Sequence, residues 1–116
     1  MITLDQLRKL AFSFPETTEE PHFDKSSFRV RKKIFATYDG KVNAANIKLT
    51  PEDQDIFSLG DHGISPVPNK WGQQGWTTVD MNRAPQQLFE DAIKVAYCTV
   101  APKKLAEIVN RPDSSQ

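Results

Sequence analysis

The residues best suited to covalent chemistry in this chain are a single cysteine and two histidines. Cys98 with either His22 or His62 would supply a thiol and the base that activates it. However, Cys98 follows a stretch with the apolar spacing of a helix, where cysteine behaves as a small hydrophobic residue. The chain also lacks the glycine-rich nucleophile elbow of serine hydrolases. We therefore predict that Cys98 is structural and that the protein is not an enzyme.

A group of acidic residues is the candidate for a cation site. Its members, within eleven residues, are Glu52, Asp53, Asp55, Asp61 and His62. Oxygen-rich clusters suit hard cations or iron. The first acids, however, open a predicted helix, whose dipole stabilises negative charge there. We expect no metal or cofactor, although the sequence leaves open whether Glu52, Asp53, Asp55 and Asp61 bind a cation.

Positive charge is concentrated in one segment of the chain. Residues 25–48 hold seven basic residues and one acid, whereas segments 16–24 and 51–61 hold four acids each and no Lys or Arg. The whole chain balances fifteen basic against fifteen acidic residues. This balance excludes a strongly basic nucleic-acid binder, but the local excess could still neutralise phosphates.

A β-meander would gather this charge on one surface, which we call the basic wing. Its members are Arg29, Arg31, Lys32, Lys33 and Lys48. In the predicted meander the two arginines and Lys48 share one face, and the two adjacent lysines form a hairpin tip. Contact with phosphates is one interpretation; the other is a solvated face whose lysines protect a sheet edge from aggregation.

Two tryptophans lie downstream of the basic wing. Trp71 follows Lys70 in a predicted loop and could stack on a base, although a loop tryptophan is more often a lid over the core. Trp76 stands at the start of a predicted strand, so we expect it in the core.

Helices at both ends and strands between them must position these residues. The predicted helices cover residues 4–14, from a Thr3/Gln6 capping box to Pro15; residues 50–60, from Thr50 to Gly60; and residues from Pro85 onward, with Pro102 either kinking the helix or starting another. The predicted strands are 27–31, 34–38, 42–49 and 76–81, with an Asp39-Gly40 hairpin turn and a long loop at 61–75 that includes an edge strand at 64–67.

This order of elements predicts one α+β domain over residues 1–110, an antiparallel sheet with helices packed on one face. Residues 111–116 are predicted to form a frayed tail. The length of 116 residues suits a single domain. A lone cysteine excludes an intrachain disulfide, and no apolar run approaches the roughly 18 residues of a membrane span. The charged N-terminal segment argues against a signal peptide, so we predict a cytoplasmic monomer.

A series of short motifs runs through the chain in order. They are FPETTEEPHF (14–23), FRV (28–30), KIFA (33–36), IKL (47–49), PNKWG (68–72), WTTV (76–79) and AY (96–97). The series resembles the MmcQ/YjbR-like family. The resemblance implies a fold similar to that of frataxin (CyaY-like) and a DNA-binding role in which the sheet and its hairpin form a double wing. It implies no catalytic residue.

The sequence therefore predicts a non-enzymatic binding module with weak, largely sequence-independent affinity for DNA. The predicted contacts are the basic wing together with Lys70 and Trp71. A protein-interaction or regulatory adaptor that uses the same surface is the alternative.

Overall fold

A six-stranded antiparallel sheet forms the framework of the protein in a computed structural model that describes residues 1–110. The strands are β1 (Thr17–His22), β2 (Lys25–Val30), β3 (Lys33–Asp39), β4 (Ala44–Lys48), β5 (Ile64–Pro66) and β6 (Trp76–Asp80). The helices are α1 (Leu4–Phe12), α2 (Pro51–Phe57), α3 (Lys70–Gln73), α4 (Gln86–Val100) and α5 (Lys103–Asn110). The strand order is β1-β2-β3-β4-β6-β5. The tail predicted at 111–116 lies outside the described residues.

The hydrophobic core lies between the sheet and α4, which packs across β3 and β4. Tyr97 of α4 is fully buried, and its ring contacts those of Phe14 (centroids 4.9 Å apart) and Phe35 (5.4 Å). Its hydroxyl donates to the Pro15 carbonyl at 2.6 Å. Burial raises the pKa of this hydroxyl. The predicted α+β domain is confirmed.

A bulge between β2 and β3 decides which residues of β3 face the core. Phe28 pairs with Ala36, but the next residue, Arg29, pairs with Ile34, so Phe35 is an extra residue in β3. Phe35 and Ala36 are both fully buried, whereas Ile34 is only half-buried. Because a bulge reverses the alternation of a strand, Ile34 joins Thr37 on the face that α4 leaves uncovered.

Three elements differ from the sequence-based prediction. Strand β1 was not predicted, because its residues, Thr17–His22, are polar and form an edge strand without apolar alternation. The loop at 61–75 contains the short helix α3 as well as the expected edge strand. The Asp39-Gly40 pair begins a longer loop, in which Asn43 adopts the left-handed conformation (φ 51°).

The ambiguous signal at Pro102 is also resolved. Pro102 starts α5 rather than kinking α4, and its carbonyl accepts from the amides of Leu105 and Ala106.

Within residues 1–110, no helix is long and apolar enough to cross a membrane.

Candidate functional site

The face of the sheet opposite α4 carries a cleft of about 360 Å³, which we call the open-face cleft. Strand residues that line it are His22, Lys25, Ile34, Thr37, Asn46 and Trp76. Val67 and Trp71 line it from the segment around α3. Ligand sites typically occupy about 300–1,000 Å³, so the cleft is large enough for one small group.

A row of small polar side chains from four strands crosses this face of the sheet, and two of them, Thr37 and Asn46, form the floor of the cleft. Ser27, Thr37, Asn46 and Thr78 are successive cross-strand partners and therefore share one face. The Thr78 hydroxyl donates to Asn46 Oδ1 at 2.7 Å. Thr37 is only 9% exposed, and it lines the cleft beside Asn46. The floor therefore offers hydrogen-bonding groups to an occupant of the cleft.

Arg29 and Lys48 of the basic wing share this face of the sheet, as predicted. Lys48 pairs with Trp76 across the sheet, and its Nζ lies 5.9 Å from the centroid of the Trp76 ring. The same Nζ donates to the Gln74 carbonyl. Arg29 pairs with Ile34, and its Nε donates to Ser27 Oγ at 3.0 Å. Both cations thus flank the cleft.

Both tryptophans of the chain line this one cleft. Trp71 is 52% exposed, and its backbone amide donates to the Asn69 side chain that caps α3. A Cβ on Gly72 would lie 1.9 Å from the Val67 carbonyl oxygen, so only glycine lets α3 approach the Val67 segment. The expectation that Trp76 lies in the core is wrong, because its register position on β6 places it on the open face.

A buried glutamine holds both tryptophan segments in place. Gln54 of α2 is 6% exposed, and its Nε2 lies 2.9 Å from the Gly72 carbonyl oxygen and 3.0 Å from that of Trp76. The same nitrogen lies 3.1 Å from Thr77 Oγ1. Gln54 therefore connects α2 to α3 and to β6, the two elements that carry the tryptophans.

Arg31 does not share the face of Arg29 and Lys48, contrary to the prediction. Arg31 and Lys32 both adopt left-handed conformations (φ 51° and 72°) in the β2–β3 turn, so Arg31 leaves the strand. Its guanidinium makes two hydrogen bonds to Glu16, at 2.5 and 3.1 Å. These bonds lower the pKa of Glu16. Arg31 is therefore already paired with a carboxylate.

The remaining predicted contacts, Lys32, Lys33 and Lys70, are exposed. The tip of the β2–β3 hairpin is Arg31-Lys32 and not the predicted Lys32-Lys33, because Lys33 pairs with Val30 as the first residue of β3. Lys70 is the first residue of α3, directly before Trp71. The sequence analysis did not select Lys25 as a contact, although Lys25 belongs to the basic segment 25–48. It also missed the polar floor of the cleft, which no local sequence pattern reveals.

The acidic group and Cys98, which were considered for other chemistry, make the following contacts. Among residues 1–110, no three His, Cys, Asp or Glu side chains are close enough to hold a metal ion. Asp61 instead pairs with Arg83 at 2.6 Å, which lowers the pKa of Asp61. Cys98 is half-buried with its Sγ 3.9 Å from the Ala106 carbonyl oxygen, and burial raises the pKa of the thiol.

Comparison with known families identifies the chain. The YjbR family model matches residues 12–99. The chain belongs to the YjbR family. The YjbR match includes all six strands and every residue that lines the open-face cleft.

The fold recurs in a solved protein. The crystal structure of the Deinococcus radiodurans protein DR2400, with its DUF419 domain, is similar to this YjbR chain with a TM-score of 0.74 and 24% identity. The similarity covers 98% of this chain and 92% of that one. A comparison with curated proteins finds no match. The implied similarity to frataxin stays a prediction.

Proposed function

We propose that this YjbR protein is a non-enzymatic module that binds single-stranded nucleic acid, with unpaired bases in the open-face cleft. The observation that carries the proposal is that Trp71 and Trp76 line one cleft, with Lys48 beside the Trp76 ring. Proteins that bind single strands combine aromatic rings, on which bases stack, with a cationic surface that follows the backbone.

Cations stand on several sides of this cleft. Lys25 lines it, Arg29 and Lys48 flank its floor, and Lys70 precedes Trp71. Each could contact a phosphate of a strand whose base enters the cleft. Bases of an intact duplex stay in their stack and would have to be flipped out to reach the cleft. We therefore expect single strands to bind more tightly than duplex.

The affinity should be low. The net charge of zero gives little long-range attraction to a polyanion. Ion pairs also occupy two cations of the basic segment, Arg31 with Glu16 and Lys41 with Asp24. The expected dissociation constant for an average sequence lies in the non-specific range of about 10⁻⁴–10⁻⁶ M at physiological salt.

Intrinsic fluorescence tests this proposal directly, because both tryptophans of the chain lie in the cleft. Titration with oligo-dT in low-salt buffer should quench the emission, and a duplex of equal length should quench it less. Trp71→Ala should weaken single-strand binding more than duplex binding. A flat titration with both nucleic acids, checked by anisotropy of a labelled oligonucleotide, would refute the proposal.

Lysine variants test the phosphate contacts. Lys48→Ala should reduce the slope of log affinity against log salt by about 0.7 on single strands. Lys103→Ala is the matched control, because this exposed lysine lies on α5 and away from the open face. Arg31→Ala should have little effect, because Glu16 already binds that guanidinium. An Arg31→Ala effect larger than that of Lys48→Ala would place the contacts at the hairpin tip instead.

An adaptor that binds a protein through the same surface is the second candidate. The observation that favours it is Phe23, which is 93% exposed in the β1–β2 turn with its ring 4.9 Å from that of His22. Exposed aromatic residues are enriched where proteins bind one another. The adaptor predicts no response to any nucleic acid at low salt, and binding to a protein partner that Phe23→Ser and Trp71→Ser both weaken.

A further inference from the structure

The floor of the open-face cleft presents hydrogen-bond donors that its own protein neighbours do not use. The Thr78 hydroxyl donates to Asn46 Oδ1, which orients the amide and leaves Asn46 Nδ2 with no acceptor among the described residues. Thr37, the cross-strand partner of Asn46, carries a hydroxyl beside it in a residue that is 9% exposed. Both residues line the cleft. Both groups are therefore open to the polar atoms of an occupant.

We infer that Asn46 selects the base that occupies the cleft by donating a hydrogen bond to a carbonyl oxygen on its edge. This inference rests on the proposed function. Thr78 orients the amide and uses one lone pair of Oδ1, so Nδ2 is the group of Asn46 that is free to bind an occupant. Thymine and uracil accept through carbonyl oxygens. Adenine accepts through ring nitrogens, but the two-bond pairing of asparagine with adenine also needs Oδ1 to accept from the adenine amino group, and Thr78 already donates to that oxygen. Asn46 therefore favours thymine or uracil over adenine.

Thr37 and the neighbouring cations have a different part in the same site. A hydroxyl both donates and accepts, so Thr37 adapts to any base and contributes affinity without preference. Lys25 and Lys48 contact phosphates, which are the same in every sequence. The volume of about 360 Å³ admits one base. The preference is thus confined to one position of an otherwise sequence-independent site.

Replacement of Asn46 by aspartate tests the inference. Asn46→Asp keeps the oxygen that accepts from Thr78 but turns an acceptor, not a donor, toward the cleft. The measurement is the ratio of affinities for oligo-dT and oligo-dA of equal length, from tryptophan quenching at low salt. Self-stacking of oligo-dA affects every variant alike, so only the change in this ratio is interpreted. We expect the ratio to fall by roughly threefold to tenfold, the effect of about one net hydrogen bond.

Ser65→Asp is the matched control. Ser65 is exposed on β5 and pairs with Thr78, so the change adds the same charge to the same row of the sheet, outside the residues that line the cleft. It should weaken binding of both oligonucleotides alike and leave the ratio unchanged. If Asn46→Asp does not fold, as judged by circular dichroism, Asn46→Ala removes the same donor without adding another and should lower the ratio as well.

The outcomes separate the two proposals. If both oligonucleotides bind and removal of the Asn46 donor leaves the ratio unchanged, the inference is wrong and the proposed function stands. An equal fall of the ratio in Ser65→Asp would also overturn the inference, because charge alone would then explain it. If neither oligonucleotide binds the unmodified protein, the proposed function itself fails.

Discussion

The substitution Gln54→Glu tests the contact that holds the two tryptophan segments together. In the native protein the Gln54 Nε2 group lies 2.9 Å from the Gly72 carbonyl oxygen and 3.0 Å from the Trp76 carbonyl oxygen, in a side chain that is 6% exposed. Glutamate has nearly the same shape, but it places a carboxylate oxygen where the donor was. At neutral pH that oxygen faces two carbonyl oxygens and satisfies neither.

The expected loss follows from these contacts. Leaving a buried acceptor unsatisfied costs about 1–3 kcal/mol, so two carbonyls suggest a loss of about 2–4 kcal/mol at pH 7 by the same reasoning. Protonation of the new carboxyl restores one donor, so the fold favours the protonated form and raises its pKa above the unfolded value of about 4.3. The loss should therefore be smallest below about pH 4.3 and should grow as pH rises toward the raised folded pKa.

Urea unfolding followed by tryptophan fluorescence measures this loss. The free energy of unfolding of the variant is compared with that of the native protein at each pH between 4 and 7, which removes the acid sensitivity that both proteins share. Gln73→Glu, at an exposed position of α3, is the matched control and should cost little at any pH. A pH-independent difference, or a loss at pH 7 no larger than that of the control, would refute the role assigned to Gln54.

Three further predictions concern the turn, the ion pairs and the thiol. The backbone of Lys32 has a φ of 72°. Because glycine adopts this conformation without strain, Lys32→Gly should raise the free energy of unfolding, measured in urea, by about 0.5–1 kcal/mol. No gain would argue against strain in the turn. Glu19 accepts two hydrogen bonds from Arg8 Nε and Nη2, at 2.9 and 3.0 Å, which lower its pKa. The stabilisation by this ion pair is present above the unfolded pKa of about 4.3 and is lost as pH falls through the lowered folded pKa. Glu19→Gln should therefore flatten the acid side of a plot of the free energy of unfolding against pH. An unchanged acid side would exclude the Arg8–Glu19 pair as the source of the acid sensitivity. Burial raises the pKa of the Cys98 thiol. A thiol reagent should therefore label Cys98 slowly in the native protein at pH 7 and rapidly in the urea-unfolded protein. Equal labelling rates would contradict a structural role for Cys98.

The sequence by itself determined the features that depend on neighbouring residues. The Thr3/Gln6 capping box and the Thr50 cap are present where their spacing predicts them, because capping involves residues only three positions apart. The alternation around Phe28 and Ile47 correctly identified the buried face of the sheet, because successive side chains of a strand point to opposite faces. The ordered motifs also identified the YjbR family.

Tertiary structure alone decided the open-face cleft. Thr37, Asn46 and Thr78 come from three strands and meet only because strand register places them opposite one another. The bulge that turns Ile34 toward them has no local signature, since it depends on how β2 pairs with β3. The charge pattern likewise counted Arg31 as available, although Glu16, fifteen residues earlier, binds it. Long-range pairing thus determines which of the basic residues are left to contact a ligand.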